Sequence, residues 1–252
     1  MFMYFKRSFV AVLFALFLFV SGCTVYQSTG NIAYTSYRVG AKAANDSLVQ
    51  RMLQPYSDSV NRNMNAFIAE LTTDLDKAQP EGTLGNIMAD AMFTMAEQKF
   101  GKRPDAAFMN YGGIRLNTIK AGTITRGKMY ELFPFDNILV LLTLKGDVFK
   151  QFLDHIASRG GWPVAGITMQ IKDRKAVNVM VGGIPLQSDK NYTIAIGDYT
   201  ANGGDDAAML KGIPQENKGY LMRDALIEYF ASFPERGKKI SVVKENRVSY
   251  VQ

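Results

Sequence analysis

Between Ile138 and Leu144 every residue except Thr143 is apolar. A strand with one wet face alternates between apolar and polar residues. A near-continuous run reads instead as a strand covered on both faces. Such a strand needs packing layers on each side. The stretch from residue 47 onward, about two hundred residues, is long enough to supply them in one domain with a sizeable core.

The other predicted elements mix helix and strand. Ser47 to Asn65 carries Leu48, Met52, Leu53, Tyr56, Val60 and Met64 at close to helical period, with Pro55 as an interruption. Phe67–Leu71 reads as a short strand. Thr83 is placed to cap a helix from Leu84 to about Lys99, ended by Gly101-Lys-Arg-Pro104. Ala106–Met109 is a buried strand, Thr125 caps a short helix to Leu132, and Gly146 opens a helix through Ala157. Three β runs are expected between Ile167 and Ile196, punctuated by Asp173-Arg174 and Gly182-Gly183. A last helix is expected over Tyr220–Phe230 and a last strand over Val248–Val251. Strands alternate with helices early and follow one another later, which is α+β rather than a doubly wound α/β sheet. No internal repeat or low-complexity tract is present.

The N-terminus reads as an export signal. Lys6 and Arg7 precede an apolar run from Phe9 to Val20. That run is shorter than the ~20 residues a membrane span needs and fits a signal core; an uncleaved anchor helix is the alternative. Val20-Ser21-Gly22-Cys23 resembles a bacterial lipobox, and Cys23 is the chain's single cysteine. These features predict a signal peptide over residues 1–22, a lipidated Cys23, a polar tether over 23–46 and a domain over 47–252. More than one acyl chain on a single residue gives a stable anchor. The expected location is the bacterial cell envelope, lipid-anchored. Thr24 rather than Asp after the cysteine fits outer-membrane sorting by the rule of the lipoprotein class.

The formal charge is +6, and losing Lys6 and Arg7 with the signal leaves +4. A mildly basic chain suits anionic small molecules or a membrane surface. No stripe of Lys and Arg with interleaved aromatics exists of the kind that nucleic-acid binding needs, and Arg236-Gly237-Lys238-Lys239 reads as a solvated turn.

Two loops carry candidate chemistry. Asn110-Tyr111-Gly112-Gly113-Ile114-Arg115 follows a buried strand. Its paired glycines allow φ > 0 and close approach of backbone to a ligand. Arg115 offers a planar fork suited to phosphate or carboxylate, and Asn110 offers a donor and an acceptor. A tight turn with a surface arginine explains the same residues. Asp198-Tyr199-Thr200-Ala201-Asn202-Gly203-Gly204-Asp205 also follows a β run. Asp205 suits vicinal hydroxyls and Tyr199 has a face for stacking, although an acidic turn has this composition too. Phe135, within Phe133-Pro-Phe-Asp-Asn137, reads by itself as core.

Taken in order with Glu81-Gly-Thr-Leu-Gly-Asn-Ile-Met-Ala-Asp-Ala-Met92 and Gly122-Thr-Ile-Thr125, these segments resemble the C-terminal, substrate-binding domain of the 5′-nucleotidases. The resemblance covers roughly residues 48–250. It implies a mixed β-sheet flanked by helices, with a ligand site on loops at the sheet's edge. It further implies that Phe135 and Tyr199 sandwich a nucleobase and that Asn110 contacts the base. Arg115 would reach toward ribose and phosphate, with Gly112 and Gly113 in the same loop, and Asp205 would hold the ribose hydroxyls. Tyr199 stands where the family usually has Phe. Tyr111 replaces the first glycine of a triple-glycine loop, a change expected to narrow the pocket. Lys77 stands near a position where the family commonly has a phosphate-directed Arg. Glu81, Asn86 and Asp90 are expected to support the site loops.

In that family hydrolysis belongs to a separate metallophosphoesterase domain, whose two metal ions clamp the attacking and leaving oxygens. A dinuclear centre needs several histidines, and this chain has only His155, on a predicted helix among apolar neighbours. No Gly-x-Ser-x-Gly elbow or P-loop is present. The reading is therefore a nucleotide- or nucleoside-binding domain without catalytic residues, metal ligands or a cofactor of its own. It would present substrate to a separately encoded metallophosphoesterase carrying two divalent ions. A non-catalytic nucleoside-binding or sensing lipoprotein is the alternative.

Overall fold

The computed structural model describes residues 34–36, 40 and 46–251. Cys23, the expected signal and most of the expected tether lie outside them. The chain divides into two units between Gln50 and Arg51, and the larger runs from Arg51 to the C-terminal end. Among the described residues no helix is long and apolar enough to cross a membrane.

Helix α1 (Ser47–Met64) runs through Pro55 and has no buried residue. The carbonyl that Pro55 leaves without a donor faces water, so the helix survives the interruption. Strand β1 (Phe67–Leu71) pairs antiparallel with β5 (Gly122–Thr125), and β2 (Leu75–Asp76) with β4 (Thr118–Ile119). Helix α2 spans Thr83–Phe100 and ends at Gly101. Thr83 is not its cap: Gly82 holds that position, and the Thr83 hydroxyl accepts from the Asp76 amide at 2.9 Å. Thr125 does cap α3 (Arg126–Leu132), accepting from the Lys128 amide at 3.3 Å.

Five strands form the central sheet in the order β12 (Gln215–Leu221), β6 (Ile138–Lys145), β11 (Asn191–Gly197), β3 (Ala106–Phe108), β7 (Val164–Ala165). Its pairs are antiparallel except β11 with β3, where Ile194 lies opposite Ala106 and Ala195 opposite Ala107. A second sheet has the order β10 (Ile184–Pro185), β9 (Lys175–Val181), β8 (Ile167–Lys172), β13 (Val248–Tyr250). Four strands thus lie between Ile167 and Gly197, not three. The additional one is the two-residue β10, folded back after the Gly182-Gly183 turn.

The apolar run at 138–144 is covered on both sides, and strand periodicity divides its residues. Leu139 and Leu141 join a core with Ala107, Ala195, α2 and α6 (Met222–Glu235). Val140, Leu142 and Leu144 join a second core with Phe108, Ile194 and Ile196, α4 (Gly146–Ser158) and the second sheet. In that second core Phe108 meets Phe149 and Phe152 edge-on, with centroids 5.9 and 5.1 Å apart. Each large side chain so buried contributes roughly 1.5–3 kcal/mol.

The last helix begins at Met222 rather than Tyr220. Tyr220 and Leu221 finish β12, an edge strand whose polar residues Gln215–Lys218 mask any β signal. Glu81, Asn86 and Asp90 do not support the Asn110 loop. Glu81 Oε1 accepts from Asn86 Nδ2 at 2.7 Å and from the Glu245 amide at 2.9 Å. Asp90 takes a two-pronged pair from Arg247 at 2.6 and 2.9 Å, and Arg247 Nη1 also donates to the Val164 carbonyl at 3.0 Å. The three acidic and amide side chains thereby hold the segment leading into β13. Replacing Arg247 by Ala is expected to lower stability by about 2–4 kcal/mol in chemical denaturation, because it leaves Asp90 and a strand carbonyl unpaired. Lys should restore only part, since it lacks the planar fork. A loss under about 0.5 kcal/mol would mark the pair as an ordinary surface contact.

Candidate functional site

Three loops meet at one edge of the central sheet. Because β3 and β11 run parallel, both deliver their C-terminal ends to the same edge, and antiparallel β6 begins there: Gly197 lies opposite Leu139. The Asn110 loop, the Phe133–Asn137 loop and the Asp198 turn are therefore neighbours, and a crevice outside the carboxyl ends of strands is a common place for ligands. Between them lies a cleft of about 370 Å³, within the size range of small-molecule sites. Asn110, Gly112, Gly113, Arg115, Phe135, Tyr199 and Asp205 all line it, together with Asn137.

The first loop leaves β3 through buried Met109 and turns in a 3-10 segment at Tyr111–Gly113. Its glycines do not adopt positive φ. Gly113 is required by space instead: a Cβ there would lie 2.6 Å from Asn110 Oδ1 and 3.1 Å from the Phe133 ring. Tyr111 does not line the cleft. Its ring takes the Lys77 ammonium 4.1 Å from the centroid, and Lys77 Nζ donates to the Ile114 carbonyl at 2.8 Å. Lys77 thus braces the loop and is not among the cleft-lining residues. Desolvation, followed by the nearby Arg115 charge, lowers its pKa from the ordinary lysine value. Arg115 donates to the Gly112 carbonyl at 3.3 Å, and its guanidinium carbon lies 5.7 Å from the Phe135 centroid.

The second loop is tied down from α6. Arg223, only 7% exposed, donates to the Phe135 carbonyl at 3.1 Å and to the Asp136 carboxylate, and stacks on Tyr130 at 4.2 Å. Nothing in the local sequence pattern marks Arg223, which lies eighty-eight residues from the carbonyl it holds. Phe133 is fully buried and meets Phe135 edge-on at 5.6 Å. Phe135 itself is 37% exposed, so its ring is not core. Asn137 joins the site although sequence reasoning did not single it out; it closes the same Phe133–Asn137 motif.

The third loop opens with α5 (Asp198–Ala201). Asp198 Oδ1 accepts from the Tyr199 amide at 2.8 Å and the Ile138 amide at 2.9 Å, joining this turn to the start of β6. Tyr199 is 48% exposed, and a Cβ on Gly204 would strike its ring at 2.6 Å. Its hydroxyl accepts from the Asp205 amide at 3.3 Å. Asp205 has left-handed backbone, φ 52° and ψ 33°. Its Oδ2 accepts from Asn110 Nδ2 at 2.7 Å, and its carbonyl lies 2.9 Å from His155 Nε2.

The cleft thus offers two half-exposed aromatic faces, a guanidinium, two amides and a carboxylate. That combination suits a flat ring bearing hydroxyls and an optional anion. Among the described residues no group of three His, Cys, Asp or Glu side chains is placed to hold a metal ion. Replacing Asp198 by Ala should cost about 1–3 kcal/mol in urea unfolding, because the part-buried Ile138 amide loses its acceptor. Asn, which keeps Oδ1, should recover most of it, and equal losses for the two variants would count against this bond.

The cleft's residues come from a segment that comparison with known proteins also picks out. The profile of the 5′-nucleotidase C-terminal domain matches residues 64–212, more than half of the chain. A 5′-nucleotidase of Vibrio vulnificus is 29% identical over 210 residues, covering 79% of this chain and 36% of its own length. The endonuclease YhcR of Bacillus subtilis is 27% identical over 223 residues, covering 84% of this chain and 18% of its own. Among solved structures, a 5′-nucleotidase precursor of Thermus thermophilus superposes with a TM-score of 0.70 at 27% identity, over 83% of this chain and 44% of that one. The chain spans about a third of the length of the Vibrio relatives it matches. In sequence and in α+β fold alike, the chain belongs to the 5′-nucleotidase C-terminal domain family.

Proposed function

We propose that this chain binds a nucleotide or nucleoside in the cleft between the three loops and presents it to a separately encoded metallophosphoesterase. The observation that carries the reading is convergence: seven residues drawn from three distant segments line one cleft of fitting size. Phe135 and Tyr199 stack on the base, Asn110 and Asn137 meet its edge, Asp205 accepts from ribose hydroxyls and Arg115 faces the phosphate. Stacking of this kind contributes about 1–3 kcal/mol per base and tolerates base identity. The relatives' names, 5′-nucleotidase among them, belong to longer chains of which this one matches only about a third. Hydrolysis is assigned to the partner because a single histidine cannot furnish a dinuclear centre. Two divalent ions held there would activate the attacking oxygen and stabilise the leaving one; this chain's own residues bind and orient.

Calorimetry with adenosine and AMP tests the site. Phe135→Ala and Tyr199→Ala should each weaken binding by about 1–3 kcal/mol with little effect on unfolding, since both are exposed loop residues. Unchanged affinity in both variants would remove the base clamp. The purified chain should not turn over AMP with added divalent metals, and turnover should appear on mixing with a metallophosphoesterase chain. Binding with no stimulation of such a partner would favour the non-catalytic sensing lipoprotein.

The anchor is a second part of the proposal. Cys23 follows a signal-like apolar run and is the single cysteine. Mass spectrometry of the membrane fraction should find it as an acylated N-terminal residue, and Cys23→Ser should release the chain or leave its signal attached. An unmodified full-length N-terminus in the membrane fraction would exclude lipidation.

A further inference from the structure

We propose that His155 is a positioning residue, which sets the aim of the Asp205 carboxylate at the ligand's hydroxyl pair. The proposal rests on the nucleoside reading of the cleft. His155 is half-buried in the last turn of α4, with its ring edge-on to Trp162 at 6.0 Å and 85°. It does not line the cleft. Its Nε2 lies 2.9 Å from the Asp205 carbonyl oxygen. A carbonyl only accepts, so Nε2 is the donor and carries hydrogen.

The need for that bond follows from the backbone. Asp205 and Asp206 are successive non-glycine residues at positive φ, 52° and 60°. Such conformations are disfavoured and persist when their surroundings over-determine them. The turn closes on itself through the Ala207 amide, which donates to the Gly204 carbonyl at 3.1 Å, and four side chains hold it from outside. The Tyr199 hydroxyl holds the Asp205 amide, Asn110 holds its carboxylate, His155 holds its carbonyl, and Arg159 pairs with the Asp206 carboxylate. Tyr199 and Asn110 are cleft residues that a ligand engages directly. The Arg159–Asp206 pair is exposed, and such pairs contribute little. Among the side chains, His155 is left as the brace that fixes the Asp205 carbonyl without touching the ligand. Losing it frees the turn to relax toward right-handed backbone and swings the carboxylate off the hydroxyls, while Phe135 and the Arg115 loop stay in place.

The signature is selective. Adenosine has the hydroxyl pair, and 2′,3′-dideoxyadenosine has the same base without it. His155→Phe should weaken adenosine about tenfold, the worth of one well-placed hydrogen bond, and dideoxyadenosine less than twofold. His155→Gln, which reaches with an amide donor, should recover most of the adenosine affinity, whereas His155→Asn is too short and should not. The Gln and Asn pair carries the comparison if the Phe variant fails to fold. Equal losses for both ligands, or no loss for adenosine in folded variants, would overturn the positioning role while leaving the cleft reading intact. A wild-type chain that binds neither ligand would remove the nucleoside reading, and this inference with it.

Discussion

The parallel pairing of β3 with β11 is the constraint on which the rest depends. Had Ala106–Phe108 run against Asn191–Gly197, Asn110 and Asp198 would leave opposite edges of the sheet. Instead Ala107 lies beside Ala195, both chains leave at the same edge, and β6 enters there from the Phe135 loop. The pairing is stable because these strands are buried on both faces. Alternate residues of β6, β11 and β3 feed two separate cores. A slip of one residue in any of them would exchange the two sets and misfit both.

The loops above that edge are held by polar contacts from the fold behind them. Arg223 from α6 grips the backbone under Phe135. Lys77 grips the backbone beneath the Asn110 loop. Asp198 links the Tyr199 turn to β6. Each brace is a charged group donating to or accepting from backbone atoms, a stronger class of hydrogen bond than neutral pairs. The result leaves the side chains of Phe135, Tyr199 and Asp205 facing the cleft while their peptides are fixed. Arg223, Lys77 and Asp198 thus place the loops without lining the cleft themselves.

The departures from family pattern take on physical sense in this frame. The ring of Tyr111 is turned away from the cleft and stacked with the Lys77 ammonium, so the missing glycine does not narrow the site. Of the remaining pair, Gly113 is required by crowding rather than by a left-handed turn, while a Cβ on Gly112 would meet open space. In the third loop the left-handed positions are Gly203, Asp205 and Asp206, and Asp tolerates that region better than most residue types.

Local pattern was enough for the α+β class, for the doubly covered strand at 138–144 and for most helix bounds, because apolar periodicity marks one face of an element; in α1 that face is nonetheless exposed. Seven of the residues that line the cleft were named through a resemblance carried by an ordered set of motifs; taken singly, the same residues read as turns and core. What the sequence could not supply was distance. Arg247 on Asp90, Arg223 beneath Phe135 and His155 behind Asp205 are contacts between segments that lie 50 to 157 residues apart. Each such residue reads locally as an ordinary surface or helix-face side chain. Strand β12 was hidden for a related reason: an edge strand rich in Gln, Glu, Asn and Lys is recruited by pairing with β6, not by its own pattern. Periodicity marks the apolar face of an element, not what covers it. Only the pairing of β3 with β11 and the packing around it decide which loops become neighbours, because that choice is made by strand direction and register rather than by any one segment.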